Sequence, residues 1–393
     1  MASARASRMD EPGIARIEGV PGAVIAGNLV GNLSLYILPM LGGSICRRFQ
    51  ITDDLFGFVV SAQLAGMGIS PILLASLPAL RDRAFRILPL GLALIVLGVG
   101  VSAASITLVQ LMILRALAGL GEGMILAVTY RVLASAGFAP RRFSVIQIVN
   151  GICLIGVYFA VPPIVNRVGT QGIFLAMAAL TLALAPGVLR LSRIDEPRQT
   201  PREAGDRRAT FTLPALAFLA GWAAFQVSQN GLWAYVERIG AKAGFTLEDV
   251  ALAAIVGAVA YTAAPFLTLL VGKKLGWIVP LTIACALTGL CCVALPNATT
   301  LWLYISEFSV FCFAMNLAMP YANAFAAEAD PSGGLVTAMP GSFAIGSVMG
   351  PAVSGITFKL FASYQAVGWV TGLIIVPSAA LMIYAAVSAT KAS

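Results

Sequence analysis

The chain has 393 residues, 59% of them hydrophobic and 11% charged, with a mean hydropathy of +0.91. A soluble domain carries about 25% charged residues, so this composition excludes one and implies an integral membrane protein with the lipid bilayer as a partner. The formal net charge of +8 reflects loop topology, as shown below, and no nucleic-acid surface is expected.

Histidine is absent, which removes the usual metal ligand, the commonest general base and the usual neutral-pH switch. Six cysteines, at 46, 153, 285, 291, 292 and 312, form no Cys-x-x-Cys. Neither a metal site nor a cofactor is expected. No nucleophile–base pair is evident either, so the chain does not read as an enzyme.

Residues 1–20 hold Arg5, Arg8, Asp10, Glu11, Arg16 and Glu18, which argues against a cleaved signal peptide and for an N-terminal tail. Twelve apolar segments follow, each about 18–25 residues long and able to cross about 30 Å of hydrocarbon. They lie near 21–41, 55–77, 86–105, 108–130, 144–166, 172–190, 212–235, 249–271, 277–295, 299–324, 336–358 and 365–387. The polar stretch 191–210, LSRIDEPRQTPREAGDRRAT, separates two groups of six. The expected organisation is therefore a tail over 1–20, a six-helix bundle over 21–190, a linker over 191–210, a second bundle over 211–388 and a tail over 389–393.

Along this path the first span carries Asn28, Asn32 and Tyr36, four apart and hence on one helical face. The fourth, LMILRALAGLGEGMILA over 111–127, places Arg115, Gly119, Glu122 and Gly123 on one side at about 100° per residue. A charge at that depth costs about 2.5–3.5 kcal/mol on insertion scales. Both charges should therefore face a protein or water-filled interior, either to serve transport or to lock neighbouring helices. The seventh span has Trp222, Gln226, Gln229 and Trp233 in one stripe, and the tenth has Tyr304, Glu307 and Asn316.

With an even number of spans both termini share a side. Loops on that side hold 18 of the Lys and Arg residues, and the opposite loops hold 6: Arg47, Arg48, Arg167, Arg238, Lys242 and Lys359. The positive-inside rule then places both termini in the cytoplasm of a plasma membrane, as in a bacterial inner membrane. The halves also echo one another at offsets of 191–194 residues, pairing Pro71 with Pro265, Pro89 with Pro280 and Arg115 with Glu307. That is the signature of a transporter built from repeated halves.

The run ArgAlaLeuAlaGlyLeuGlyGluGly at 115–123 resembles the fourth-span signature R-x-x-x-G-x-G of the major facilitator superfamily. The loop after the second span keeps Asp82, Arg83 and Arg86 of that family's cytoplasmic G-x-x-x-D-R-x-G-R-R motif, with Pro78, Phe85 and Ile87 at three other motif positions. The family's antiporter signature survives only as Gly156, Ala160 and Pro162 in the fifth span, which disfavours an exporter. The resemblance implies an all-α fold of twelve transmembrane helices in two pseudo-symmetric bundles. It also implies a central cavity lined by spans one, four, seven and ten, and a gating role for Asp82, Arg83 and Arg86.

On that implied cavity, Arg115, Asn28, Asn32, Tyr36, Gln226, Gln229, Trp233 and Asn316 are the expected solute contacts. Glu122 and Glu307 are the expected proton carriers, because a carboxyl in low dielectric can titrate near neutrality. Arg115 offers a planar donor fork for a carboxylate. The expectation is a monomeric secondary transporter that takes up a small organic anion, an aromatic carboxylate for example, together with protons by alternating access. Proton-coupled export of drug-like compounds is the rival, and a receptor or assembly factor without flux is the alternative from another class.

Overall fold

The computed structural model describes residues 21–37, 40–76, 86–135, 139–191, 212–271, 276–330 and 334–392. Within them the chain is helical, with no strand among the described residues. The apolar runs leave the backbone no water to bond, and a helix satisfies each N–H and C=O within its own segment.

In the first half the helices are α1 (Pro21–Ile37), α2 (Gly42–Phe49), α3 (Asp53–Ser76), α4 (Leu88–Ser102), α5 (Leu108–Ser135) and α6 (Ala139–Leu191). In the second they are α7 (Leu213–Trp233), α8 (Val236–Lys242), α9 (Leu247–Val271), α10 (Ile278–Ala294), α11 (Leu301–Ala329), α12 (Gly334–Phe361) and α13 (Tyr364–Ala392). Among the described residues, each apolar segment read from the sequence falls largely on one of these helices. The fifth and sixth segments share α6, which is broken at Gly169 with φ 70° and ψ −163°, a conformation open to glycine. Among the described residues, eight helices are long and apolar enough to cross a membrane, or nine if α1 and α2 form one bent span.

The two halves start their helices in step. Four pairs of matching elements begin 190–194 residues apart: α4 and α10, α1 and α7, α5 and α11, and α3 and α9. The short helices α2 and α8 match as well, each following the first span of its half.

Packing follows the small residues. In the first half α5 lies along α3, where a Cβ on Gly119 would run into the Gln63 carbonyl and one on Gly123 into Met67 and Ser70. Helices in lipid approach closely through such glycines. Two lateral seams join the halves. One runs between α3 and α12, where Gly57 lies on the Pro351 carbonyl and Ser61 Oγ donates to the Val348 carbonyl at 2.7 Å. The other runs between α6 and α9, where Gly151 abuts Thr262.

Candidate functional site

The two charges of α5 do not form a pair. Glu122 and Arg115 are seven residues apart, about 10 Å along the helix axis, and each is buried against different neighbours. Glu122 is fully buried and accepts hydrogen bonds from Ser34 Oγ on α1 and from Gln63 Nε2 on α3, the latter at 3.0 Å. Arg115 is 2% exposed. Its Nη2 donates to the Gly98 carbonyl at 3.2 Å and to Ser102 Oγ at 3.1 Å, both on α4. Its guanidinium lies 4.7 Å from the centre of the Phe174 ring on α6. Nε and Nη1 make no hydrogen bond among the described residues. Arg115 is thus held in the wall of the first half between α4, α5 and α6, while Glu122 ties α1, α3 and α5.

Glu307 lies elsewhere again. It is half-buried on α11 beside Cys291 of α10, with one carboxylate oxygen unbonded. Leu303 and Val310, on the same side of that helix, are exposed at 42% and 39%. Arg115 and Glu307 therefore do not meet.

The polar residues of α1 do gather with others, and they do so between the halves. Asn28 Nδ2 donates to Asn150 Oδ1 on α6, and Asn32 Nδ2 donates to the Asn28 carbonyl at 2.9 Å. Asn32 also bonds Tyr130 of α5. Tyr36 shares its electrostatic neighbourhood with Tyr130, Cys153 and Tyr158 of the first half and with Tyr261 of the second. Tyr158 in turn neighbours Tyr261 and Cys312. Asn316 Nδ2 donates to the Tyr261 carbonyl at 2.7 Å. Residues from α1, α5, α6, α9 and α11 thereby form one neutral polar cluster. The hydroxyls of Tyr36 and Tyr158 are buried within it and bond no other group among the described residues.

The stripe on α7 is divided. Gln226 and Asn230 turn toward α12, with Asn230 Nδ2 donating to Gln226 Oε1 at 3.3 Å and to Ser347 Oγ at 3.2 Å. Gln229 is buried with its Oε1 unbonded. Trp233 stacks on Phe308 of α11 at 5.7 Å between ring centres, and Trp222 lies in the core of the second half beside Phe225.

A third group closes one end of the molecule. Asp53, at the start of α3, receives Arg238 Nε at 2.8 Å on Oδ1 and Nη2 at 3.2 Å on Oδ2. The Tyr364 hydroxyl donates to the same carboxylate, and the Tyr235 hydroxyl donates to the Asp53 carbonyl at 2.9 Å. Glu237 Oε2 accepts from the Gly43 N–H at 2.6 Å. At the same end Asn166 Nδ2 donates to Glu248 Oε1 at 2.6 Å. Each of these bonds crosses from one half to the other.

Burial pushes the Glu237 carboxyl above its ordinary range, against the pull of Arg238 and the Gly43 N–H. Burial also acts to lower Arg238, but the bond and charge of Asp53, with Glu237, outweigh it and raise the guanidinium above its ordinary value. A bidentate, charge-assisted pair of this kind is about twice as strong as a neutral hydrogen bond.

Of the gating-loop residues, Arg86 is exposed just before α4, and Asp82 and Arg83 lie outside the described residues. Sequence reasoning missed Ser34 and Gln63 beside Glu122, Asn150, Tyr158 and Tyr261 in the cluster, and the whole closed end. Asn150, an amide with Gln147 inside an otherwise apolar run, was a usable signal. Arg238 read only as a loop charge, since nothing local indicates that Asp53 would meet it.

A family model described as Major Facilitator Superfamily matches residues 23–339. Among solved structures, the crystal structure of a mutant of the nucleoside transporter NupG superposes with a TM-score of 0.70 at 15% sequence identity. The match covers 93% of this chain and 98% of that one, and at this identity it is a likeness of fold. No curated protein matches the sequence.

Proposed function

This chain belongs to the Major Facilitator Superfamily, and on that premise we propose a twelve-span, monomeric secondary transporter that takes up a small organic solute with protons by alternating access. It is an integral membrane protein that serves transport, and the finer reading rests chiefly on one observation. Neutral polar side chains from both halves converge between the bundles, where a rocking motion can expose them to each side in turn.

We place the solute on the cluster around Asn28, Asn32, Tyr36 and Asn316, with Gln229 and Trp233 contributing from α7. The likeness to a nucleoside transporter is compatible with such neutral, hydrogen-bonding contacts. The case for an organic anion rests on Arg115, and a guanidinium held by Gly98, Ser102 and Phe174 sits in the wall of the first half, away from this cluster. The end closed by Asp53 and Arg238 is the outer end if the termini are cytoplasmic, as the positive-inside count favours.

Proton coupling belongs to Glu122. It is a fully buried carboxyl whose hydrogen-bond partners, Ser34 and Gln63, are neutral, and Arg115, two turns away on the same helix, acts on it through space. A proton on Glu122 removes a buried charge that must otherwise be carried through the conformational change, and Ser34 links that event to the solute-facing helix α1. The test is flux into proteoliposomes under an imposed pH gradient, using whichever solute raises the melting temperature of the purified protein. Glu122→Gln abolishes gradient-driven accumulation and keeps solute exchange, while Glu307→Gln accumulates at least half as well as the parent. Full accumulation by Glu122→Gln refutes the assignment.

A further inference from the structure

The composition of the inter-half cluster bears on what the solute is. On α1 the residues Asn28, Asn32 and Tyr36 share one face, while Ser34, which holds Glu122, lies about 200° round the helix from Asn32. The α1 backbone thus separates the carboxyl from the cluster. Arg115 is kept away by α4 and Phe174, and Glu307 by its position beside Cys291. Among the described residues, the titratable side chains that act most on Tyr36 are Tyr261, Tyr130, Cys153 and Tyr158, and those that act on Tyr158 are Cys312 and Tyr261. No carboxylate, ammonium or guanidinium is among them.

The bonding capacity left open in the cluster is equally specific. Tyr36, 7% exposed, and Tyr158, 1% exposed, each keep a hydroxyl with no partner among the described residues, although the amides around them are engaged with one another. A hydroxyl both donates and accepts. Two of them on facing helices, set in aromatic rings, suit a compact solute with its own donors and acceptors and a flat or apolar face. An anion entering this space would lose its hydration and find no charge to replace it, and burying an unpaired charge is far costlier than burying a bonded neutral group.

We infer that the protein binds an uncharged, multiply hydrogen-bonding organic solute between the hydroxyls of Tyr36 and Tyr158, and that it discriminates against anionic counterparts of that solute. This inference rests on the transport reading above and narrows its substrate class.

The test is a thermal-shift titration of the purified full chain in detergent with matched pairs that differ by one charged group. The pairs are glucose and glucuronate, uridine and uridine 5′-monophosphate, and nicotinamide and nicotinate. At least one neutral member raises the melting temperature while its charged partner does not. Tyr36→Phe and Tyr158→Phe each weaken that binding at least tenfold and leave the melting temperature of the unliganded protein equal or higher, because each removes a buried hydroxyl without a partner. Stabilisation by the charged members, by no neutral member, or with equal affinity in both Phe variants overturns the inference. Flux of the same compounds in proteoliposomes separates the two levels. A neutral ligand that binds and never crosses refutes transport while the site stands, and an anion that crosses leaves transport standing and refutes the neutral site.

Discussion

Arg115 and Glu122 look like a pair on a helical wheel, and the wheel is right about direction only in part. Two residues seven apart share a side, yet about 10 Å of rise lets them meet different helices. Arg115 finds the carbonyl of Gly98 and the ring of Phe174, and Glu122 finds Ser34 and Gln63. The periodicity of α5 carries the burial of both residues. Their partners depend on which helices flank α5 at each level, and no property of α5 itself encodes that. A wall residue and a solute ligand respond differently to a small change of shape. Arg115→Lys keeps the charge and loses the planar fork and its stacking on Phe174. It should cost about 1–3 kcal/mol of stability, read as a lower melting temperature, with the solute KM changed by less than about twofold. A tenfold rise in KM without loss of stability would return Arg115 to the solute site.

Among the elements, the long helices were legible because hydrocarbon admits little else, and the break in α6 falls at Gly169, where the sequence has a short polar interval. The glycines of α5 were legible as packing surface, and Gly119 and Gly123 do lie on α3. The short helices α2 and α8 were not legible as a unit. Each is a few residues of loop in the sequence, and their meeting through Gly43 and Glu237 depends on the two halves closing over one end. That contact should also respond to pH. Because Glu237 titrates above its ordinary range when buried, the closed end holds a proton more tightly than the open one. Its contribution is complete below the ordinary carboxylate pKa and is lost as the pH rises through the raised value. Acid therefore favours closure. Cys46, buried at that end, reports it. As the pH rises above the ordinary carboxylate range, an impermeant maleimide should label Cys46 increasingly faster in the parent than in Glu237→Gln. Parallel profiles for the two proteins would remove Glu237 from the switch.

For the whole molecule, the decisive arrangement is a polar cluster midway between two halves that are fastened at one end. The duplication was visible in the sequence as offset prolines and charges, and helix starts 190–194 residues apart bear out the two-part architecture. The fastening was not visible, since Asp53 lies 185 positions from Arg238 and 311 from Tyr364, and contacts at such separation leave no local pattern. If the halves rock, the Asp53 bonds must form and break in each cycle. Losing a charge-assisted bond of about 1.5–3 kcal/mol shifts the balance of closed and open forms by about tenfold to a hundredfold. The most direct test is the distance distribution between spin labels at the exposed positions Arg47 and Lys242, one on each half, in a background without the native cysteines. The account predicts a dominant short distance in the parent, and in Asp53→Asn a second, longer population that becomes the major one. A single unchanged distance in both proteins, with and without bound solute, would contradict it.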